Sequence, residues 1–208
     1  MDEYIYAKNS VEFITVGVEF CAFAERVQDT TAEEFTSTAV KLLPLLYLKA
    51  TLLPESDEDD YSDIPERFVS EEAYEYLRRN IEYILGEKDA YLLIQNDDTA
   101  YNDQPFAASI AEDLADVDQA VKDCVSAYRT ENEDSMRTAL STCREDFIAY
   151  WGAKLLNALG ALHRICFATE CEDEYECERH HHHHEEENFY QRRQSAWQDD
   201  DEDADRWL

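Results

Sequence analysis

The sequence is poor in glycine and proline, with four of each among its 208 residues. With so few glycines, the chain contains none of the common phosphate-binding loops. Gly-x-x-x-x-Gly-Lys and Gly-x-Gly-x-x-Gly are both absent, and so is the Gly-x-Ser-x-Gly motif that presents a nucleophilic serine. These absences exclude the most frequent nucleotide-binding and serine-hydrolase motifs.

Basic residues are also scarce, since 18 Lys and Arg stand against 49 Asp and Glu and give a net charge of −31. Proteins that bind nucleic acid or anionic membranes neutralise phosphates with Lys and Arg, so we expect direct binding to neither. A protein partner with a basic surface is compatible with this charge. A charge that serves only solubility is equally compatible with it.

Long apolar runs are missing too, because no stretch approaches the ~18–20 residues that span a bilayer. The first ten residues lack the basic region and apolar core of a signal peptide. We therefore expect a cytoplasmic protein with reduced cysteines. In agreement with this, Cys21, Cys124, Cys143 and Cys166 fall on or beside apolar helix stripes, where a free thiol acts as a small hydrophobe.

What the sequence does contain is apolar residues at helical spacing. The longest stripe, over Ser135–Cys166, predicts one continuous helix of about 45–50 Å around which the other helices pack. A second stripe, over Phe106–Tyr128, predicts a helix with Pro105 at its first position and an apolar seam suited to bundle packing. Ala90–Gln95 is ambiguous between a short helix and an extended segment.

Two helices are predicted before residue 55. The first runs from about Ser10 to Val27 and has Asn9 as its candidate cap. The second begins with a capping box formed by Thr31 and Glu34, and we expect it to kink or break at Pro44. Its many leucines leave little polar surface, which predicts the most buried segment of the chain. A third helix is predicted to begin at Ser70 and to end at Gly86.

Together these patterns predict an all-α, antiparallel bundle of about five helices, with the long C-terminal helix in its core. The bundle should occupy residues 1–168, and the acidic, His-rich residues 169–208 should form a disordered tail. The tail spacings do not match a closed zinc site, so we expect no cofactor and only opportunistic metal chelation. The candidate chelating residues are Cys171, Cys177, His180, His181, His182, His183 and His184.

Three segments resemble one known family. They are KLLPLLYLKATLLP (Lys41–Pro54), SIAEDLADVDQAVKDC (Ser109–Cys124) and YWGAKLLNALGALH (Tyr150–His163). Their order and spacing resemble an uncharacterised, all-helical bacterial domain family of unknown function, over about residues 9–167. The resemblance implies a cytoplasmic helical domain and assigns no activity to any residue.

Two lysines, Lys49 and Lys154, fall at the edges of apolar stripes. Each lysine has two interpretations. The aliphatic stem can pack on the apolar surface while the ammonium reaches water, or the ammonium can be buried in a polar pocket against a carboxylate. Candidate partners are Asp113 and Asp118, which flank the apolar seam of the Phe106–Tyr128 helix, and Glu12 and Glu19, which share one flank of the first helix. Asn157 completes the candidate pocket around Lys154.

The same helical phases point Asp116 away from the seam and predict a solvated carboxylate. Because catalytic motifs are absent and the surface is acidic, the first hypothesis is a non-catalytic domain that binds a protein partner with a basic surface. One alternative is a small-molecule-binding protein or metal-dependent enzyme that uses the pocket around Lys154 and Asn157. Another is an acidic mimic that occupies a partner's nucleic-acid site. A closed pocket in which the Lys154 ammonium meets carboxylates favours the enzyme or ligand-binding alternative, and an ammonium in water favours the domain that binds a protein partner.

Overall fold

The computed structural model describes residues 4–55, 66–93 and 106–167, and these are mostly helical. Their main elements are α1 (Lys8–Glu25), α2 (Ala32–Thr51), α3 (Glu71–Leu85), β1 (Ala90–Leu93), β2 (Phe106–Ser109), α4 (Ile110–Tyr128), α5 (Glu133–Asp146) and α6 (Gly152–Phe167). A π-helical turn, Phe147–Trp151, joins α5 to α6, and 3-10 turns follow α1 and α3. Within the described ranges the predicted all-α bundle is confirmed, with a small two-stranded sheet added.

The helix starts test the predicted caps. The Thr31 hydroxyl accepts a hydrogen bond from the Glu34 N–H, and the Glu34 carboxylate accepts one from the Thr31 N–H, which confirms the capping box. The Asn9 cap is wrong, because α1 already begins at Lys8 without a side-chain cap. The preceding segment is instead anchored by the core, where Ile5 is fully buried and its carbonyl accepts from the Tyr128 hydroxyl at 2.8 Å.

Helix α2 runs unbroken through Pro44, so the predicted break does not occur. Pro44 lacks an N–H, but Leu43 and Leu46 on either side are fully buried and hold the helix in place. The prediction that α2 is the most buried segment is wrong. Leu48 is 51 % exposed, and α2 also leaves Leu45 and Leu52 exposed.

The two short strands were not expected as a pair. Residues Ala90–Leu93 lie antiparallel to Phe106–Ser109, with Ala90 opposite Ser109. Helix α4 therefore begins at Ile110, five residues later than predicted, and is capped by the Ser109 hydroxyl. Short apolar runs fit either structure, and here the pairing partner decides between them. Pro105 lies outside the described residues.

The stretch Ser135–Cys166 is helical throughout, but the π-helical turn interrupts its regular spacing. The wider turn lets the Trp151 indole nitrogen donate to the Cys143 carbonyl at 3.0 Å, and Trp151 is fully buried. Glycine is required at position 152, since a Cβ there would lie 2.5 Å from the Phe147 carbonyl oxygen. The extra residue rotates α6 by roughly 100° relative to a regular continuation of α5.

The central element is α4 rather than the C-terminal helix. It packs against α1, α3, α5 and α6, and eleven of its nineteen residues are buried. A helix with neighbours on several sides needs more than one apolar seam, which matters for its acidic residues. None of the described helices is long and apolar enough to cross a membrane. The predicted tail and its candidate metal ligands lie outside the described residues and stay predictions.

Candidate functional site

A buried ion cluster joins α4 to α6. The Lys154 ammonium on α6 lies 2.5 Å from Asp116 Oδ2 and 3.4 Å from Asp113 Oδ1, both on α4. The side chains of Lys154, Asp113 and Asp116 are 22 %, 8 % and 11 % exposed. The structure therefore places the Lys154 ammonium against carboxylates rather than in water. It also corrects the expectation for Asp116, which is a cluster member and not a solvated carboxylate.

Three tyrosine hydroxyls complete this cluster, which we call the α4 polar network. Tyr74 on α3 donates to Asp116 Oδ1 at 2.9 Å, and Tyr150 in the π-helical turn donates to Asp116 Oδ2 at 2.8 Å. Tyr91 on β1 donates a short hydrogen bond to Asp113 Oδ2. Four elements besides α4 thus supply hydrogen bonds or charge to two adjacent turns of one helix.

The contacts within the network keep its lysine protonated and its three tyrosines neutral. Burial alone would lower the pKa of Lys154, but the hydrogen bond and charge of Asp116, with Asp113, raise it above its usual value. Burial and the neighbouring aspartates raise the pKa values of Tyr74, Tyr91 and Tyr150. Lys154 therefore remains protonated and the tyrosines remain neutral at physiological pH.

Burial also raises the pKa of Asp113, and the Tyr91 hydrogen bond and the charge of Lys154 offset this only in part. The direction is opposite to the one expected for a carboxylate beside a lysine. Of the two aspartates near the Lys154 ammonium, Asp113 is the more distant, at 3.4 Å, and its side chain is almost completely buried, so burial has the larger effect on its pKa. Asp113 thus carries a desolvation penalty that its neighbours do not fully offset.

An open cleft of about 240 Å³ adjoins the α4 polar network between α4 and α5. Asp116 and Tyr150 belong to both, so the cleft wall is in direct contact with the network. The ionisable lining consists of four carboxylates, two thiols, one phenol and a single guanidinium. The lining residues are Glu66, Arg67, Asp116, Gln119, Ala120, Asp123, Cys124, Ala139, Thr142, Cys143, Asp146, Tyr150 and Trp151.

Two of the cleft carboxylates are held differently. Asp123 accepts hydrogen bonds from the Phe68 and Val69 N–H groups at 2.7 and 2.9 Å, so it anchors the segment before α3. Burial raises the pKa of Asp146, and the charge of Arg67 lowers it only in part. Asp146 is itself exposed, so it is the cleft carboxylate that an incoming group can reach most readily.

Residues 4–168 match the family described as a domain of unknown function (DUF5063). The chain belongs to this family. The crystal structure of protein BF1032 from Bacteroides fragilis, a structural-genomics target, is similar over 82 % of this chain and 99 % of that chain, with 39 % identity and a TM-score of 0.72. No curated protein matches the sequence. The resemblance to an uncharacterised helical family is thus confirmed, and neither match assigns an activity.

The remaining predicted site residues of this DUF5063 domain lie outside the α4 polar network. Asp118 lies against α1, where the Cys21 thiol adjoins it. Lys49 pairs with Glu12 at 2.7 Å, joining α2 to α1, and this hydrogen bond lowers the pKa of Glu12. Asn157 is half-buried on α6, three residues after Lys154, and takes no part in the described contacts of the network.

Asp118 is 4 % exposed, and its Oδ1 has no hydrogen-bond partner among the described residues. Burial raises its pKa to about 6, while the charge of Lys122 and a hydrogen bond from Cys21 act against this rise. The described ranges also contain no group of three or more His, Cys, Asp or Glu that could hold a metal ion. Asp118 is thus a solitary buried carboxylate rather than part of a ligand set.

Sequence reasoning found Asp113 and Lys154 but missed the tyrosines. The spacing of Asp113 and Asp116 places both on adjacent turns of one helix face, and this was a usable signal. Tyr74 lies on a different helix, and Tyr91 lies on an unpredicted strand. Neither carries a local pattern that marks it as a hydrogen-bond donor to α4, so only the tertiary structure reveals their role.

Proposed function

We propose that this domain is a non-catalytic binding module whose cleft accepts a cationic group, either an alkylammonium or a guanidinium. The observation that carries the proposal is the lining of the cleft, where Glu66 and Asp146 remain acidic after Asp116 has paired with Lys154 and Asp123 with Arg67. Opposite charge in a partly enclosed cleft favours cations over anions and attracts them before contact. The acidic chain as a whole, at −31, strengthens that attraction.

The Lys154 ammonium lies against carboxylates, which favours a ligand-binding or enzymatic pocket, and the protonation states of Lys154 and the three tyrosines favour ligand binding over catalysis. General acids and bases work best with pKa values near the operating pH. The pKa values of Lys154, Tyr74, Tyr91 and Tyr150 all move upward, away from neutrality. A lysine nucleophile would need the opposite shift, because only the neutral amine attacks a carbonyl. The α4 polar network is therefore better suited to holding the cleft wall rigid.

The volume restricts what can enter. Sites for drug-sized ligands measure about 300–1,000 Å³, and this cleft measures about 240 Å³. The cationic group therefore belongs either to a small amine or to one Lys or Arg side chain of a protein partner. Tyr150 supplies an aromatic face at the rim, where its ring centroid already lies 5.2 Å from the Lys154 ammonium.

Asp146 is the residue on which selectivity should depend most. Partial burial raises its pKa although the residue is exposed, and a cation placed beside it would act in the opposite direction. Asp123 is less available, because two backbone N–H groups already occupy one of its oxygens. Binding should therefore lower the pKa of Asp146 and leave the segment before α3 in place.

The test is isothermal titration calorimetry of the full chain with putrescine, agmatine and a short Arg/Lys-rich peptide. Saturable one-to-one binding of the small amines identifies a free amine as ligand. Binding of the peptide alone identifies a basic side chain of a protein partner. Asp146→Asn should weaken binding by about 10-fold or more, because one close charge pair is lost. Asp134→Asn, an exposed change on the same helix with the same net-charge change, is the control.

Equal affinities of the two variants would show that the cations respond only to the overall charge, and this would overturn the proposal. Preferential binding of acetate or phosphate would overturn it as well. Agreement with the proposal also requires weaker binding at high salt, because partly exposed charge pairs are screened.

We further propose that the protein is bacterial and cytoplasmic. The Bacteroides fragilis relative supports the bacterial origin. Cys21, Cys124 and Cys143 are free and buried, which suits a reducing compartment.

A further inference from the structure

The cleft between α4 and α5 contains a cation of its own. Among the described residues that line this cleft, Arg67 is the only one with a positive charge. Its guanidinium lies 3.9 Å from Asp123 Oδ2, and its side chain is 68 % exposed. Its charge also lowers the pKa of Asp146, an exposed carboxylate of the same cleft. Arg67 therefore acts on two carboxylates to which an incoming cation would bind.

The two carboxylate oxygens of Asp123 have different roles. Oδ1 accepts both backbone hydrogen bonds, from the N–H groups of Phe68 and Val69. Oδ2 takes part in neither of them and lies next to the Arg67 guanidinium. The backbone bonds hold the chain beside Arg67 in place, whereas the guanidinium itself makes only a long, exposed contact. The side chain can therefore leave Asp123 while the segment before α3 stays anchored.

We propose that Arg67 is an internal competitor for the cation-binding cleft, and that a bound ammonium or guanidinium displaces its side chain from Asp123 Oδ2. The inference rests on the proposed function and adds how the affinity of the cleft is set. Because the next residue, Phe68, is anchored to Asp123, Arg67 stays tethered beside the cleft and competes as an intramolecular group. Every ligand must therefore bind against a cation that is already present.

The two cations nearest the cleft differ in how firmly they are held. The Lys154 ammonium lies 2.5 Å from Asp116 Oδ2, and its side chain is only 22 % exposed, so it should stay in place when a ligand binds. Arg67 has the longer contact and is mostly solvated. Exposed ion pairs are weak, since water and salt screen them. Displacement of Arg67 should therefore cost the ligand little.

Displacement also changes which ligand the cleft prefers. It releases Asp123 Oδ2 on α4, in addition to Asp146 at the end of α5, so that a ligand can meet carboxylates from both helices. Arg67 shows that one guanidinium position acts on both of these carboxylates. A guanidinium presents several N–H donors in one plane, whereas an ammonium acts as a compact point charge. We therefore expect the cleft to prefer a guanidinium.

The test is isothermal titration calorimetry of full-length Arg67→Gln with agmatine and with putrescine, which carry a guanidinium and an ammonium on the same alkyl chain. Arg67→Gln should bind agmatine about 3- to 10-fold more tightly than the wild type does, because the competing charge is gone. Putrescine should gain less. The matched control is Arg79→Gln, which makes the same change in net charge at a side chain that is 72 % exposed on α3. It should change the affinity by less than about 2-fold.

A second measurement tests the position of Arg67 without any ligand. Titration of the Asp146 carboxyl by NMR should give a higher pKa in Arg67→Gln than in the wild type, because the guanidinium lowers it. Arg79→Gln should leave this pKa unchanged. Arg67→Lys keeps the positive charge, so it should restore most of the wild-type pKa and affinity. A purely structural role of Arg67 would instead weaken agmatine binding in both Arg67 variants.

The outcomes separate this inference from the proposed function. If the wild type binds agmatine and Arg67→Gln binds it no more tightly than Arg79→Gln does, only the inference is overturned. A gain that Arg67→Lys shares would overturn it as well, because the charge would then not be the cause. Absence of binding by both the wild type and Arg67→Gln would overturn the proposed function and this inference together.

Discussion

Helix α4 buries carboxylates on two of its sides, and the two sides are built differently. Toward α3 and α6, Asp113 and Asp116 meet one ammonium and three tyrosine hydroxyls. Toward α1, Asp118 meets the Cys21 thiol, and its Oδ1 has no hydrogen-bond partner among the described residues. Asp113 and Asp118 are nearly equally buried, at 6 % and 4 % exposure.

The difference lies in what the neighbouring helices supply. Helix α6 brings a long cation to Asp116, whereas α1 brings Gly17 and Cys21 toward α4, and neither carries a charge. The nearest lysine to Asp118 is Lys122 on α4, but its ammonium pairs with Glu25 at 2.7 Å. Equal burial therefore produces a satisfied site in one place and an isolated carboxylate in the other.

The largest expected effect on stability comes from removing the Lys154 ammonium from the α4 polar network. Lys154→Met keeps the stem volume and leaves two buried aspartates without their counter-charge, so it should lower the free energy of unfolding by about 3–5 kcal/mol. Urea denaturation measures the loss. Adding Asp116→Asn should recover part of it in a double-mutant cycle. A loss below about 1 kcal/mol would show that the ammonium is solvated after all.

The titration of Asp118 should make the free energy of unfolding depend on pH. Its folded pKa of about 6 lies above the ordinary value of 3.8, so the folded state holds the proton more tightly than the unfolded state. The stability from the protonated form is fully present below the unfolded pKa and is lost as pH rises through the folded pKa. The groups whose charge or hydrogen bonding acts on Asp118 are Cys21 and Glu25 from α1 and Lys122 and Asp123 from α4.

Asp118→Asn removes this titration. As the pH rises from about 4.5 to about 7.5, the free energy of unfolding of the variant should therefore increase by about 2 kcal/mol relative to that of the wild type. Comparing urea unfolding of the two proteins at both pH values cancels the contribution of the other acids. A constant difference between them would mean that Asp118 is ionised throughout this range.

Removing one tyrosine hydroxyl from the α4 polar network should have a smaller effect on stability. Tyr91→Phe takes the donor from Asp113 and should lower the free energy of unfolding by about 1–2 kcal/mol, because a buried acceptor loses its partner. Tyr83→Phe, at a position that is 89 % exposed, is the control and should have no measurable effect. Thermal unfolding followed by circular dichroism compares the two variants, and equal midpoints would exclude a role for the Tyr91 hydroxyl.

The smallest effect is expected at the other lysine. The Glu12 side chain beside Lys49 is half-exposed, at 35 %, so Lys49→Met leaves a partly solvated charge behind rather than a buried one. We expect a slight loss of stability that added salt removes, because exposed pairs are screened. If Lys49→Met destabilised the fold as much as Lys154→Met in parallel urea titrations, burial of the carboxylates would not explain the difference between the two pairs.

The predicted elements and the observed ones differ where a local pattern had two solutions. The capping box of Thr31 and Glu34 and the end of α3 at Gly86 were both predictable, because each depends on residues within one turn. The strand at Phe106–Ser109 was not, since its pairing partner lies earlier in the chain. The π-helical turn at Phe147 was also invisible, because its apolar residues keep a spacing that a regular helix would share.

In the candidate site, too, some residues were predictable from local sequence patterns and others depended on tertiary contacts. Lys154 was recognisable as a cation where the stripe called for an aliphatic residue, and Asp113 was recognisable as a carboxylate beside a seam. Asp116 was assigned to solvent because one seam was assumed for α4. In the structure, α3 and α6 cover the side of α4 on which Asp116 lies. A helix with four neighbours has no single outward face.

Periodicity, capping and composition act locally or additively, so the helical architecture, the acidic character and the absence of common catalytic loops could be predicted from the amino-acid sequence. The sequence did not show which carboxylates meet Lys154, that Asp118 lies apart from the α4 polar network, or that the leucines of α2 face solvent. These outcomes depend on which elements pack together and on their rotation. Contacts between residues far apart in the chain, such as Tyr74 with Asp116 and Lys49 with Glu12, set that rotation.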